Sequence, residues 1–392
     1  MRKIAATYVF PVTSPPIKYG IVTLNDNDEV VHIKDNGGVM IEEEGCEYYS
    51  GILIPGLVNA HTHLELSYLK NYVQPHSGML EFLDKMIMRS ASDQTTLDDA
   101  ISFADSKMYA QGVSVVGDIC NGSSTVNTKS KSKISYYSFI ELLGLNKSDS
   151  DHRFQKGVAL FNQFRSASLS VSIVPHAPYS VHGDLLSHIA LHPESEVVSV
   201  HMLESEHASE NVSNDKRSFK HFFKAKNILR EDYNQTNNPV EFILDRFKNK
   251  QVLLVHNIHA TPKDWDYVQA IAKRNALSIF AVTCPRSNEF IHAVLPNYDC
   301  WPTEIPVCIG TDSLASNADL SVFNEMVFLM EKTNLSFETL LKWATINGAK
   351  ALNMDQRFGS IEVGKTPGLN LISGIDYSKM KITESSSIRR IC

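Results

Sequence analysis

The sequence predicts an α/β fold, a (β/α)8 barrel with a small β-sandwich formed by the N- and C-terminal segments. Short runs rich in valine and isoleucine alternate with longer helical segments from residue 51 to residue 354, as expected of parallel α/β structure. Eight such runs occupy roughly 300 residues, which suits a barrel of about 250 residues with insertions. The two ends of the chain show strand and turn signals without this alternation.

Each element of the predicted barrel can be assigned to a segment of the chain. The strand candidates are residues 52–60, 113–118, 134–140, 171–175, 197–202, 252–257, 278–282 and 307–310. Helical candidates between them include residues 80–89, 96–111, 240–247 and 262–274. This alternation favours a barrel, although periodicity alone also allows a doubly wound open sheet.

The chain ends predict a discontinuous accessory domain of residues 1–50 and 355–392, which leaves residues 51–354 as the barrel domain. A polar turn at residues 25–28 separates the first two strand candidates of the accessory domain. The strand candidates of the two ends are residues 20–24, 30–33, 358–365 and 369–372. Pairing between them would form the sandwich.

The composition excludes several classes of protein. With 392 residues and 43% hydrophobic content, the chain can bury one large core and a smaller module. A net charge of -7, with both signs mixed along the chain, argues against a nucleic-acid partner. The apolar runs are too short to span a bilayer, and early prolines argue against a signal peptide. The six cysteines lack C-x-x-C spacing, which indicates reduced thiols and a cytoplasmic protein.

A pair of histidines stands at the end of the first strand candidate. His61 and His63 are two residues apart, so on an extended strand both side chains point to the same face and can bind one ion. Because the chain has 15 histidines, about half of one such pair is expected by chance, so the pair is weak support by itself.

Other polar residues occupy the corresponding position on later strands. Each follows an apolar run, at the carboxyl end of its strand candidate: His176, His201, His256 and Asp312. Barrel active sites are built at the carboxyl ends of the strands, whereas histidines scattered through a core would not follow this rule. The pattern therefore predicts one shared site at this edge.

Several segments together resemble the amidohydrolase superfamily, in its cytosine deaminase and chlorohydrolase-like branch. They are PGLVNAHTH (55–63), HMLE (201–204), VHNIH (255–259), CPRSN (284–288), GTDSLASN (310–317), ATINGA (344–349) and GSIEVGK (359–365). The resemblance covers nearly the full length and implies a TIM barrel. Segments LELS (64–67) and PHAPY (175–179) are most similar to aminodeoxyfutalosine deaminase-like proteins.

The resemblance implies a role for each residue of the site. The metal ligands would be His61, His63, His201 and Asp312. Glu204, His256 and Asp312 would act on the water and its protons. Three neutral imidazoles and one carboxylate leave a divalent ion net positive, and such an ion can lower the pKa of bound water to about 7. Glu204 lies just beyond the strand of His201, where an acid could carry a proton from water to a substrate nitrogen.

The resemblance implies a single divalent metal ion, zinc, with Fe2+ as the alternative. Binuclear members of the superfamily carry a bridging modified lysine on a barrel strand, but here the fourth strand candidate leads into Val174, Pro175 and His176. A second departure lies after Lys365, where the usual alanine–aspartate pair is missing. That departure concerns the predicted sandwich and not the site.

Three residues near these motifs are candidate substrate ligands. By the resemblance His176 would hydrogen-bond the substrate, with a supporting position behind the metal ligands as the alternative. Arg286 and Asn288 follow the seventh strand candidate, where a guanidinium could bind a substrate carboxylate or form a structural ion pair.

A polar stretch at residues 205–238 is longer than an ordinary connection and contains Phe219, Phe222 and Phe223. We expect it to fold partly over the pocket as an apolar lid, and a solvated connector is the alternative.

The predicted function is that of an aminohydrolase acting on a small molecule. Hydroxide would add to an amidine-like ring carbon, Glu204 would protonate the exocyclic amine, and ammonia would leave. A 6-aminopurine nucleoside analogue such as aminodeoxyfutalosine is the candidate substrate, and the chain could act as a homo-oligomer. The alternatives are a chlorohydrolase or other cyclic C–N hydrolase of the same branch, and a non-catalytic metal-stabilised binding protein.

Overall fold

The structure is a computed structural model, and it describes residues 1–90, 93–205, 218–229 and 238–392. The strands within these ranges are β1 (Arg2–Val9), β2 (Ile17–Lys18), β3 (Ile21–Leu24), β4 (Val30–Lys34), β5 (Cys46–Pro55), β6 (Leu57–Thr62), β7 (Val113–Cys120), β8 (Ser135–Leu142), β9 (Ser170–Pro175), β10 (Val197–Met202), β11 (Gln251–His256), β12 (Ser278–Thr283), β13 (Val307–Ile309), β14 (Leu369–Ser373) and β15 (Ser387–Arg390).

The α-helices of the same ranges lie mostly between the strands. They are α1 (Met79–Met88), α2 (Gln94–Ala110), α3 (Val126–Lys131), α4 (Ser150–Ser166), α5 (Gly183–Leu191), α6 (Phe219–Ala225), α7 (Pro239–Leu244), α8 (Pro262–Asn275), α9 (Pro285–His292), α10 (Val322–Lys332), α11 (Phe337–Trp343) and α12 (Ile346–Ala351). The predicted helices overlap α1, α2, α7 and α8, which confirms them.

Two parallel four-stranded sheets form the middle of the chain, in the orders β6-β7-β8-β9 and β10-β11-β12-β13. Every residue of β7 and β10 is buried, because the strands of a parallel sheet are covered on both faces. The largest apolar cluster includes residues of both sheets, among them Ile173 and Val252. The predicted α/β class with parallel strands is confirmed, and each of the eight strands predicted for the barrel overlaps an observed one.

Backbone hydrogen bonds connect the edge strands of the two sheets, β9 with β10 and β6 with the residues after β13. The amide of His201 donates to the carbonyl oxygen of His176 over 2.9 Å, which joins the ends of β9 and β10. The amides of Thr311 and Asp312 donate to the carbonyl oxygen of His61 over 2.9 and 3.1 Å, which joins the residues after β13 to β6. The carboxyl ends of the two sheets therefore adjoin.

The chain ends form one seven-stranded sheet of the order β15-β14-β5-β1-β3-β4, with β2 paired to β1. The predicted hairpin is present, since β3 and β4 pair antiparallel. Strand β5 continues past residue 50, and its residues Ile52–Pro55 pair with β14. The expected boundary at residue 50 thus falls inside a strand of this sheet.

Two strand predictions need correction. The single strand expected at residues 52–60 is divided at Gly56, where the backbone passes so close to Ser114 that a Cβ atom would lie 1.9 Å from its Oγ. The strand expected at residues 358–365 is absent from the structure. The amides of Ile361 and Gly364 bond to carbonyls of two separate segments, at Pro11 and Val30, so no continuous ladder forms.

No helix within the described ranges has the length and apolar character needed to cross a membrane. The six cysteines are free thiols, as predicted.

Candidate metal centre and active site

Three histidines meet at the carboxyl edge of the parallel sheets. His61 lies in β6, His63 follows that strand, and His201 lies in β10. One nitrogen from each ring falls within 4.8 Å of the others, and all three residues are buried. The edge therefore brings together the predicted pair and a histidine that lies far along the chain.

The surroundings of these rings suit a metal ion. Burial, followed by repulsion from neighbouring imidazoles, lowers the pKa of His61 and His201 well below the usual value, so both rings are neutral and have a lone pair to donate. Among the described residues, both nitrogens of His61 and Nδ1 of His63 are buried without a hydrogen-bond partner. Each unpaired buried polar atom costs roughly 1–3 kcal/mol, which a bound cation would offset.

Asp312 lies beside this group. Its Oδ1 lies 3.5 Å from Nε2 of His63. Its Oδ2 accepts hydrogen bonds from the hydroxyl groups of Ser287, at 2.6 Å, and Ser316, at 2.9 Å. The two serines fix one carboxylate oxygen and leave the other directed at the histidines.

Glu204 and His256 form a second pair at the same edge. Oε1 of Glu204 lies 3.5 Å from Nε2 of His256. The ring of His256 is held from its other side, because Nδ1 donates to Oδ1 of Asn288 over 2.7 Å. Burial raises the pKa of Glu204 to about 7, which is near neutral pH.

Left-handed backbone recurs at this edge. Leu203, His256 and Asp312 have positive φ angles of 47°, 73° and 57°. Residues other than glycine adopt such angles at a cost of about 1–3 kcal/mol, and in folded proteins this strain concentrates at functional sites. The strain supports a functional role for the turns that follow β10, β11 and β13.

His176 lies beside the three histidines. Its ring centroid is 4.7 Å from that of His201, and its Nδ1 is 2.6 Å from Oγ of Ser180. Burial lowers the pKa of His176 to about 3, so this ring is neutral as well. Its position is compatible with both roles expected from the sequence.

Arg286 pairs with two carboxylates. Its Nη1 lies 2.7 Å from Oδ1 of Asp319 and 3.9 Å from Oε1 of the buried Glu325. Of the two roles left open by the sequence, the structure shows the ion pair, because these carboxylates already neutralise the guanidinium. These contacts do not test whether Arg286 binds substrate, so that role stays a prediction. Asn288, in contrast, reaches the site through its bond to His256.

An aromatic cluster flanks His176. The ring of Tyr179 packs against His176, with centroids 5.7 Å apart, and stacks on Phe219 at 4.1 Å with an angle of 7° between the planes. Phe219 and Phe223 are buried, whereas Phe222 is half-buried. Residues 206–217 and 230–237 of the predicted lid lie outside the described residues, so the lid as a whole stays a prediction.

Sequence reasoning missed several residues of the site. Ser287 and Ser316 lie inside motifs that were recognised. The sequence, however, does not indicate which residue a serine hydroxyl hydrogen-bonds. Glu141 lies at the end of β8, where its Oε1 is 3.6 Å from Nδ1 of His201. It directly follows the strand candidate at residues 134–140, so the rule that selected the other strand ends could have found it.

Comparisons with known proteins agree with this site. The sequence profile of the amidohydrolase family matches residues 52–389. An adenosine deaminase of Helicobacter pylori is 28% identical over 365 residues, covering 90% of this chain and 86% of that protein. An aminodeoxyfutalosine deaminase of Nitratiruptor is 28% identical over 339 residues, covering 82% and 79%. The crystal structure of Helicobacter pylori aminofutalosine deaminase with methylthio-coformycin superposes with a TM-score of 0.81 at 26% identity, covering 96% and 93%.

Proposed function

Because this chain belongs to the amidohydrolase family, we propose that it is a metal-dependent aminohydrolase that releases ammonia from a 6-aminopurine nucleoside analogue. The observation that carries the proposal is the meeting of three buried histidines beside Asp312, with Glu204 at the same edge. The sequence relatives are named as deaminases of adenosine and aminodeoxyfutalosine, which supports a hydrolase acting on carbon–nitrogen bonds other than peptide bonds.

The residues that would hold one divalent ion are His61, His63, His201 and Asp312. We propose zinc, because imidazoles and a carboxylate are its usual ligands in catalytic sites. Bound there, the ion would supply an activated water near neutral pH. Strand β9 contains no lysine, which supports one ion rather than a bridged pair.

Glu204 would carry the protons of the reaction. A carboxyl group with a pKa of about 7 can both accept and release a proton near neutral pH, so Glu204 could take one from the water and deliver it to the leaving amino group. His256 faces Glu204 through Nε2 and, with a proton on Nε2 as well as on Nδ1, would stabilise the oxygen that gains negative charge at the ring carbon. The carboxylate of Asp312 would accept the second proton of the water and pass it to the ring nitrogen that is protonated in the product.

Substrate recognition would fall to His176, Asn288 and the aromatic cluster. Among the described residues, Nδ2 of Asn288 is buried and has no hydrogen-bond partner, so it has a donor to offer a substrate. His176 is fixed by Ser180 through Nδ1, which leaves Nε2 to bind a ring nitrogen or hydroxyl group. Tyr179 and Phe219 would contact the apolar part of the nucleoside.

The same proposal covers the architecture. The hydrogen bonds between β9 and β10, and between β6 and the residues after β13, support closure of the two parallel sheets into one (β/α)8 barrel. We propose that the seven-stranded sheet belongs to the accessory sandwich, and that the protein acts in the cytoplasm, where free thiols persist.

A substrate screen tests the function. Zinc-loaded protein would be incubated with adenosine, 5′-substituted adenosines, free aminopurines and chlorinated ring compounds, and release of ammonia and chloride would be measured. We expect ammonia from at least one nucleoside, released about 1,000-fold more slowly by Glu204→Gln. Chloride release without ammonia would favour a chlorohydrolase, and inactivity of zinc-replete protein on the whole panel would refute the proposal.

A further inference from the structure

A buried carboxylate lies behind one of the proposed metal ligands, and the mechanism does not use it. We infer that Glu141 is a positioning residue for His201, and that Asn121 and Glu65 hold it in place. The inference rests on the proposed metal centre and adds a layer of residues that sets how firmly the ion is bound.

The contact between Glu141 and His201 involves the ring nitrogen that faces away from the other ligands. Oε1 of Glu141 lies 3.6 Å from Nδ1 of His201, and both side chains are almost fully buried. The same Nδ1 donates to the carbonyl oxygen of His176 over 3.0 Å. A neutral imidazole has one N–H, so this bond places the lone pair of His201 on Nε2, the nitrogen that remains for the ion.

The carboxylate of Glu141 is itself fixed. Its Oε2 accepts a hydrogen bond from Nδ2 of Asn121 over 3.0 Å. Asn121 is held in turn by Glu65, because its backbone amide donates to Oε1 of Glu65 over 3.0 Å, and the amide of Gly122 donates to Oε2 over 3.3 Å. Glu65 follows β6, Asn121 follows β7 and Glu141 lies in β8. The three hydrogen-bonded residues therefore come from the ends of three neighbouring strands.

A carboxylate behind a ligand histidine strengthens the metal bond in two ways. It keeps the ring in one tautomer and orientation, and its negative charge makes the imidazole a better donor. Removing such a partner typically weakens metal affinity by about 10- to 100-fold. The distance of 3.6 Å is too long for a hydrogen bond, so the charge of Glu141 matters more here than a shared proton.

A second interpretation of the same residues is a second cation site. Ligand atoms of Glu141, His176 and His201 also lie within 4.8 Å of one another. Such a site could not use Nδ1 of His201, because that nitrogen carries the proton donated to the carbonyl of His176, and Nε2 would already bind the first ion. The geometry therefore favours support of one ion over binding of two.

Zinc affinity and stoichiometry test the inference. Wild type, Glu141→Gln, Asn121→Ala and the exposed control Glu338→Gln would be stripped with a chelator. Zinc would then be titrated against a chromogenic competitor, and bound metal counted by mass spectrometry. We expect one ion per chain in all four proteins, affinity weaker by about 10- to 100-fold in Glu141→Gln, a smaller loss in Asn121→Ala and none in Glu338→Gln. The absorption bands of the cobalt-substituted protein should also shift in Glu141→Gln alone.

Wild-type affinity in Glu141→Gln would overturn the inference, and so would two ions in wild type with one in this variant. If Glu141→Gln does not fold, Asn121→Ala decides, and unchanged affinity there would overturn it as well. The proposed function fails separately: wild type that binds zinc but releases no ammonia contradicts the function and leaves the test of Glu141 intact, whereas wild type that binds no zinc contradicts both.

Discussion

The carboxyl edge of the parallel sheets and the aromatic cluster beside it are held in different ways. At the edge, the reactive side chains stand at the ends of buried strands, and Asp312, His201 and His256 each hydrogen-bond to a second residue, as Asp312 does to Ser287. In the aromatic cluster, Phe219 belongs to the short helix α6, and it is held mainly by stacking on Tyr179. The first region is fixed by directional bonds and the second by apolar contact.

This difference shows where precision is needed. Metal ligands and proton carriers act only within narrow distances, and directional hydrogen bonds from rigid strands enforce such distances. Apolar contact with a substrate tolerates small shifts, because the free energy of burial depends on area rather than direction. We therefore expect substitutions at the edge to abolish chemistry or stability, and substitutions in the cluster to change substrate affinity.

The largest effect is expected for Glu204→Gln. The amide cannot carry a proton, so kcat for the nucleoside found in the ammonia screen should fall by about 1,000-fold, within the range expected of a general acid–base group. Zinc affinity should stay at the wild-type value. Steady-state kinetics and a zinc titration give both numbers, and loss of zinc binding would show that Glu204 is a ligand instead.

Lys129→Met should strongly reduce the stability of the edge. Nζ of Lys129 lies 2.5 Å from Oδ2 of Asp118, both side chains are fully buried, and Oδ1 of Asp118 accepts the amide of Leu64, next to His63. Removing the cation leaves a buried unpaired carboxylate, which should lower the free energy of unfolding by about 3–5 kcal/mol.

Urea unfolding measures this effect, with Lys131→Met, at an exposed position of the same helix, as the matched control. Adding Asp118→Asn to Lys129→Met should restore part of the loss. A decrease no larger than that of the control would mean that the ion pair does not hold this edge.

Glu325, which supports the turn after β13, is expected to make the free energy of unfolding depend on pH. Its carboxylate accepts hydrogen bonds from the backbone amide of Arg286 and from Asn317, and burial raises its pKa from 4.5 to about 7. Between these values the folded protein binds more protons than the unfolded chain, so this group lowers the free energy of unfolding as the pH rises.

Glu325→Gln removes that dependence. Relative to wild type, the variant should gain about 3 kcal/mol in free energy of unfolding between pH 4.5 and pH 8, because 1 pKa unit corresponds to about 1.4 kcal/mol. Urea unfolding of both proteins across this range measures the gain. If the free energy of unfolding changes with pH in the same way for both proteins, the raised pKa of Glu325 is contradicted.

The smallest effect is expected for Phe219→Leu, which keeps an apolar side chain but removes the stacked ring. Aromatic stacking contributes roughly 0.5–1.5 kcal/mol, so KM should rise by about 2- to 10-fold while kcat and zinc affinity stay unchanged. Phe103→Leu, at a site 64% exposed on α2, is the control. A fall in kcat without a change in KM would show that the aromatic cluster affects the chemical step rather than substrate affinity, in contradiction to this prediction.

Much of the fold could be predicted because its signals are local. The strands of the parallel sheets are short apolar runs with polar segments between them, and β10 occupies the predicted residues 197–202. The strand prediction at residues 358–365 is wrong, because the backbone amides of this segment bond to two separate places, just after β1 and at the start of β4. The division at Gly56 depends on how close Ser114 lies, and the periodicity of apolar residues in the sequence does not indicate this distance.

By itself the sequence determined which side chains stand at the strand ends, because residue type and strand position are properties of the local chain. It also determined the chemistry of the donors, three imidazoles and a carboxylate. Only the tertiary structure decided which residues support them: Glu141 contacts His201, which lies 60 positions further along the chain, and Arg286 pairs with Asp319. The physical reason is that hydrogen bonds and ion pairs act over a few ångströms, so partners distant in sequence are chosen by the way the sheets pack.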